Sequence, residues 1–446
     1  MARRANAWLI TLSLVAVLPP IIERRPGWSL SSAPRAAEQT AGVGSLSAAL
    51  QAAEPAERAR AACELGLRGT DAIGQVPALI ALLADDTRVD AIDCGDHDRD
   101  GRDWSVGGEP RQCATSPARE AARALSRIGT QAIKPLLTAL GDVHATMRRF
   151  AAIALGMLDD RGVARPAVVR LLATLDDSDW QVRRSVVWAL GEVGEGGVVQ
   201  PVAARLKDAH PRVREMAAHG LSELDDQHAV AALIGALDDS EWTVRREVTH
   251  ALGELHAADA VTALGGRLAS DEHPRVRHMA AWALGEIEDR RAAPALRGAL
   301  KDREADVREQ AAWALGEIED AESVDALVAT LRSDDNAKTR QMAAWALGEI
   351  ESAKAVPGLS AALADAETGV REMTAWALGE IESREAVKPL IAALKDREWK
   401  VRAKVAWAIG EIADASAADA LAASLKDDHP EVRKMAAWAL AEVTDH

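Results

Sequence analysis

From Val186 to the C-terminus the apolar positions recur on a fixed beat. Trp188-Ala-Leu-Gly-Glu192 returns at Trp282, Trp313, Trp345 and Trp376, then as Trp407-Ala-Ile-Gly-Glu411 and Trp438-Ala-Leu-Ala-Glu442. His219-Gly-Leu-Ser-Glu223 and His250-Ala-Leu-Gly-Glu254 fill the two beats between. Successive phrases stand 31 or 32 residues apart. A period of that length marks a repeat array, in which each unit buries its apolar face only against its neighbours.

Each period predicts two helices. In residues 291–319, Ala292-Ala-Pro-Ala-Leu-Arg-Gly-Ala-Leu300 is the first, Lys301-Asp302-Arg303-Glu304 a turn, and 306–318 the second. Pro294 falls in the first turn of its helix, where a missing N–H costs nothing, and Pro201, Pro357 and Pro389 repeat that placement. At about 100° per residue, Val307, Ala311, Ala314, Leu315 and Ile318 share one face, and Trp313 and Glu317 point away from it. Weaker echoes upstream are Arg148-Arg-Phe-Ala-Ala-Ile-Ala-Leu-Gly156, Arg119-Glu-Ala-Ala-Arg-Ala-Leu125 and Arg58-Ala-Arg-Ala-Ala-Cys-Glu-Leu-Gly66. The expected architecture is all-α: a right-handed α-solenoid of about twelve two-helix units over 45–446, broken once by an irregular insertion at 86–117.

These phrases resemble the HEAT-repeat family, specifically the bacterial HEAT-like repeats first named for phycobilisome lyases. The resemblance is strong over 118–446 and weak over 45–85. It implies a fold and little about function, because the family spans scaffolds, assembly factors and a few enzymes. One of those enzymes, deoxyhypusine hydroxylase, carries His-Glu pairs early in its second helices. The equivalent pairs here are Glu215-Met216, His278-Met279, Glu309-Gln310, Gln341-Met342 and Glu372-Met373, and the chain contains no His-Glu dipeptide. That activity is excluded by sequence. The resemblance also implies that the Arg after each Val, as in Asp302/Arg308 and Asp396/Arg402, belongs to a structural ladder with turn aspartates.

Composition agrees with helix: 446 residues hold one Phe and no Tyr, whereas strands favour aromatic and β-branched side chains. A net charge of −16 argues against nucleic acid, whose binding requires Lys and Arg to displace counterions, and favours cationic partners. No Gly-rich phosphate loop, nucleophile elbow or H-E-x-x-H is present, so no enzyme activity is expected; the repeat glycines are expected to close helices and turns.

Arg3 and Arg4 precede an apolar run from Ala7 to Leu18. That is the layout of a secretory signal peptide over 1–22, with a short membrane anchor as the other reading, followed by a flexible linker at 23–44. Export to a bacterial periplasm or an envelope-anchored position is the expectation, with membrane contact only through this segment.

In an α-solenoid the second helices line the concave, binding side. Trp282, Trp313, Trp345, Trp376, Trp407 and Trp438 would stand there in a row beside Glu286, Glu317, Glu349, Glu380 and Glu411. Two readings stay open: the Trp row is a partner-binding face, or it completes packing between repeats. Each Glu falls in the last turn of its helix, where the macrodipole disfavours an anion. Each therefore needs a neighbouring cation or a cationic ligand.

The insertion contains Asp96-x-Asp98-x-Asp100-Gly101, the opening of an EF-hand calcium loop, but Gly107 stands where the bidentate Glu belongs. A calcium site at Asp96, Asp98 and Asp100 competes with a solvated acidic loop; no other cofactor is implied. Cys94 and Cys113 flank the loop and could staple it with a disulfide, leaving Cys63 as a small core residue. The functional expectation is a non-catalytic binding scaffold presenting a Trp/Glu-lined groove to a protein or peptide, cationic or proline-rich. The alternative is an assembly factor or chromophore-lyase-like subunit acting on another protein.

Overall fold

The computed structural model describes residues 42–90, 92, 115–158, 164–194 and 197–445. From Val43 onward the described residues form an all-α solenoid of twelve helix pairs. The second helices are Pro55–Leu67, Pro117–Ile128, Ala145–Gly156, Trp180–Val193, Pro211–Glu223, Trp242–Glu254, Pro274–Glu286, Ala305–Glu317, Ala337–Glu349, Thr368–Glu380, Trp399–Ile412 and Pro430–Asp445. They run 12 to 16 residues, whereas the helix preceding each has 6 to 11. Consecutive second helices touch along most of their length and consecutive first helices much less. The second helices therefore form the tight inner row.

The apolar stripe is as the wheel requires: Val307, Ala311, Ala314, Leu315 and Ile318 are all buried. In the turns, an aspartate carboxylate accepts the backbone N–H two residues on, as Asp302 does from Glu304 at 2.9 Å. That orders the chain just before its helix begins. Arg340 shows what joins one repeat to the next. Its Nε and Nη2 donate to both oxygens of Asp365, one repeat later, at 2.8 and 2.9 Å, and its Nη1 to the carbonyl of Asp334 in its own turn. The same bidentate pairing links Arg148–Asp177, Arg183–Asp208, Arg214–Asp239, Arg245–Asp271, Arg277–Asp302, Arg308–Asp334, Arg371–Asp396 and Arg402–Asp427. The ladder is real, and its rungs cross the joints between repeats.

The repeat grammar is interrupted between Leu82 and Pro117. Val89 and Thr115 pair there in an isolated antiparallel bridge, and Ile92 packs on Ala59 and Cys63. The expected calcium ligands Asp96, Asp98 and Asp100, like Cys94 and Cys113, lie outside the described residues. Cys63 corrects one expectation. It is buried, but it is also disulfide-bonded. Among the described residues no helix is long and apolar enough to cross a membrane.

Candidate functional site: the inner row of second helices

The Trp rings sit in the joints between repeats. A Cβ built on Gly285, Gly316, Gly348 or Gly379 would come within 2.5 to 2.6 Å of Cζ3 of Trp313, Trp345, Trp376 or Trp407 respectively. Gly156 and Gly253 hold Trp188 and Trp282 in the same way, and Gly410 holds Trp438. Each of these glycines lies in the last turn of its helix, in the Trp-Ala-Leu-Gly phrase or its counterpart. It is glycine because the next repeat's indole occupies the space a side chain would need. The glycines stand near the helix ends, as expected, and also seat the next repeat's ring. Trp376 and Trp407 are buried, Trp282, Trp313 and Trp345 half-buried, and Trp438 is 36% exposed. Packing between repeats accounts for most of the ring surface.

The face left toward solvent is acidic. Glu286, Glu349 and Glu380 are half-buried, and Glu317 and Glu411 are exposed. Directly after each helix, Glu288, Glu319, Glu351 and Glu382 adopt left-handed backbone angles (φ 50° to 52°) and are exposed. The result is a ledge of paired carboxylates, two per repeat, at the negative ends of the helix dipoles.

Burial pushes the Glu349 carboxyl up to about 7, and the charges of Glu380, Glu317, Glu319 and Glu351 add to it. Glu380 is likewise raised to about 7 by burial, then by Glu411 and Glu351, with Lys404 opposing. Burial also raises Glu286, against the pull of His256 and the Trp282 indole N–H. None of Glu286, Glu317, Glu349 and Glu380 forms an ion pair with Lys or Arg among the described residues. The neighbouring cation that a last-turn Glu calls for is missing at Glu317 and Glu349. Lys404, half-buried beside this row with its ammonium 4.9 Å from the Trp407 ring centroid, serves only its far end.

A second aromatic series was not legible from the repeat phrase. Trp180, Trp242 and Trp399 open their helices and stack on His210, His273 and His429 of the following turn, with ring centroids 3.8 Å apart and planes within 8°. His210 and His273 also cap their helices, each Nδ1 accepting a backbone N–H at 3.3 Å. The available signal was a Trp in one turn answered by His-Pro in the next. Among the described residues no group of three or more His, Cys, Asp or Glu side chains converges as a metal site.

The family model for HEAT repeats matches in overlapping segments, 167–253, 230–316, 261–348, 299–379, 324–397 and 387–446, which together span more than half of the chain. The chain belongs to the HEAT-repeat family. The model for the PBS lyase HEAT-like repeat matches 117–142 of this HEAT-repeat protein. No curated protein matches it. Among solved structures it is similar to an engineered protein (22% identity, 70% of this chain and 98% of that one, TM-score 0.44). It is similar also to human deoxyhypusine hydroxylase in complex with glycerol (25% identity, 56% and 96%, TM-score 0.27). A third is the complex of CpcE and CpcF of phycocyanin lyase from Nostoc sp. PCC7120 (24% identity, 51% and 92%, TM-score 0.33). Superpositions this loose carry no argument about activity.

Proposed function

We propose that this HEAT-repeat protein is a non-catalytic scaffold whose carboxylate ledge, from Glu286 to Glu382, holds a cationic segment of another protein. The observation that supports this is Glu349: burial and the charges of four other carboxylates raise it, and among the described residues it forms no ion pair with Lys or Arg. A ligand bringing Lys or Arg would relieve that repulsion, and the relief is binding energy. The repeat sets the ligand's register. Neighbouring second helices stand ~9–10 Å apart, and an extended chain advances ~10 Å in three residues. The fitting partner carries Lys or Arg at every third position of an extended stretch. The Trp rings stiffen the wall behind the ledge, and a proline-rich partner has less to recognise. An assembly-factor role would use the same surface, with the held protein as its client.

The test uses a synthetic Lys-x-x-Lys-x-x-Lys-x-x-Lys peptide and a same-composition peptide with its lysines clustered. The spaced peptide should bind more tightly, weaken as salt rises, and lose about tenfold in affinity with Glu349→Gln/Glu380→Gln. Equal binding by both peptides, or no effect of the double variant, would sink the ledge reading.

We also propose export to the cell envelope, supported by the Arg3-Arg4 and apolar opening and by the disulfide at Cys63, since such bonds persist in oxidising compartments. Residues 1–44 fused to a reporter that is active only outside the cytoplasm should yield activity. A silent fusion rejects export.

A further inference from the structure

The Trp-over-Gly joint fails twice in succession. Gly191 is an open seat, but the residue facing it from the next repeat is His219, and the nearest heavy atom is the Gly220 Cα at 3.0 Å from where a Cβ would stand. At the next joint the seat is Ser222 and the facing residue is His250. Serine carries the Cβ that an indole ring excludes at the Trp joints, so Ser222 accepts His250 and would reject Trp. His250 instead turns to the following repeat and stacks on Trp282, with centroids 5.0 Å apart.

A charged network lies between the same helices. His219 Nδ1 lies 3.4 Å from Glu247 Oε1, and Arg246 reaches Glu247 at 3.4 Å and Glu215 at 3.9 Å. Arg212 donates to Glu215 at 3.0 Å. Glu215 and Glu247 are buried, 1% and 7% exposed. The network is incompletely satisfied: Glu215 Oε1, Thr249 Oγ1 and His250 Nδ1 are buried without a hydrogen bond, as is Arg205 Nε just upstream. Among the described residues only Thr374 Oγ1 shares that condition elsewhere. A half-satisfied polar joint coheres less well than a packed apolar one.

We infer that the joints around residues 211–254 form a hinge between the repeats on either side, tightened when His219 carries a proton and loosened when it loses it. The groups that face His219 are acidic: Glu247 from the following helix, Glu223 on its own and Glu192 from the preceding one. Arg246 competes for Glu247. Glu247, chiefly through its hydrogen bond, holds the imidazole above its ordinary value against burial. The contribution of the pair is complete below the unfolded histidine value and is lost as pH rises through the folded one. Burial raises Glu215 above the ordinary glutamate value, and its ionisation on the way up in pH loosens the joint in the same sense. Mild alkali therefore opens the hinge.

Hydrogen exchange of the full chain, read by mass spectrometry at pH 6 and pH 8 and divided by intrinsic amide rates, tests this. Peptides from 211–254 should exchange several-fold faster than those from 305–349, and the ratio should widen at pH 8. Glu247→Gln should flatten that pH response. His219→Trp, which places a ring over the open seat Gly191, should slow 211–223 to the rate of its neighbours. Equal protection of the two regions in the wild type overturns the hinge, whether or not the Trp variant folds. A ratio that does not change with pH overturns its control by His219.

Discussion

The ring edge of Trp345 lies 2.6 Å from where a Cβ on Gly316 would stand. Contact that close leaves no room for a methyl group, and the neighbours are the Cα and Cβ of Ala346, which cannot swing aside. Gly316→Ala should therefore cost about 1–3 kcal/mol by overpacking, although alanine is the better helix former. Trp345→Ala should cost about 3–5 kcal/mol. The double variant should cost clearly less than the sum, because the methyl's closest contact is with the ring. Thermal melts of the three variants check this; strict additivity would mean that the two residues do not share a joint.

The ledge should respond to pH in the opposite sense to most carboxylates. Glu349 titrates near 7 in the folded chain against 4.5 as its ordinary value. Between those values the folded state holds more protons than the unfolded one, so this group's contribution falls as pH rises toward 8. Glu349→Gln should stabilise by about 1 kcal/mol at pH 8, after allowance for partial exposure, and by almost nothing at pH 5. Urea midpoints at the two pH values decide it, and a loss of stability at pH 8 would count against the crowding.

Glu351 combines a carboxylate at the negative end of a helix with a left-handed backbone (φ 51°). Glycine suits that conformation and carries no charge. Glu351→Gly should raise stability by about 0.5–1 kcal/mol, while weakening capture of the cationic peptide. A Tm shift measured beside affinity separates the two effects. A stabilised variant that binds as well as the wild type would remove Glu351 from the ledge.

Arg340 cannot be replaced by lysine without loss, since a single ammonium cannot serve both Asp365 oxygens and the Asp334 carbonyl together. Arg340→Lys should cost about 1–2 kcal/mol. Burial alone would raise the Asp365 carboxyl, but hydrogen bonds from Arg340 and the Glu367 N–H outweigh it and hold it below the ordinary aspartate value. Its contribution is present above that ordinary value and is lost as pH falls through the depressed one. Acid unfolding of wild type should accordingly be steepest below pH ~4, and shallower in Asp365→Asn.

The helix pairs were legible because burying one stripe per helix imposes a period, and Val307 to Ile318 obey it. The glycine seats were not, because Gly316 answers to a ring one repeat later, a relation that no single-helix projection contains. The trace of it was nevertheless in the chain: glycine precedes each Trp joint, and Ser222 precedes His250. The Arg ladder was recognised with the turn Asp of its own repeat in view. The guanidinium does touch that turn, but through a backbone carbonyl, and spends its fork on the next one. The Glu row was visible, yet the want of a Lys or Arg ion pair at Glu317 and Glu349 could only emerge once neighbouring helix ends were placed side by side.

The Arg–Asp rungs all point the same way along the chain, from an earlier helix to a later turn. A repeat that has folded thus offers its guanidinium before its acceptor has been made. During synthesis each new turn would emerge to find the fork of the preceding helix already positioned, and docking its aspartate would set the start of the next helix. The array is vectorial: its assembly can follow translation one repeat at a time, with no rung waiting for a distant partner, and reversing the order would leave each aspartate without its template.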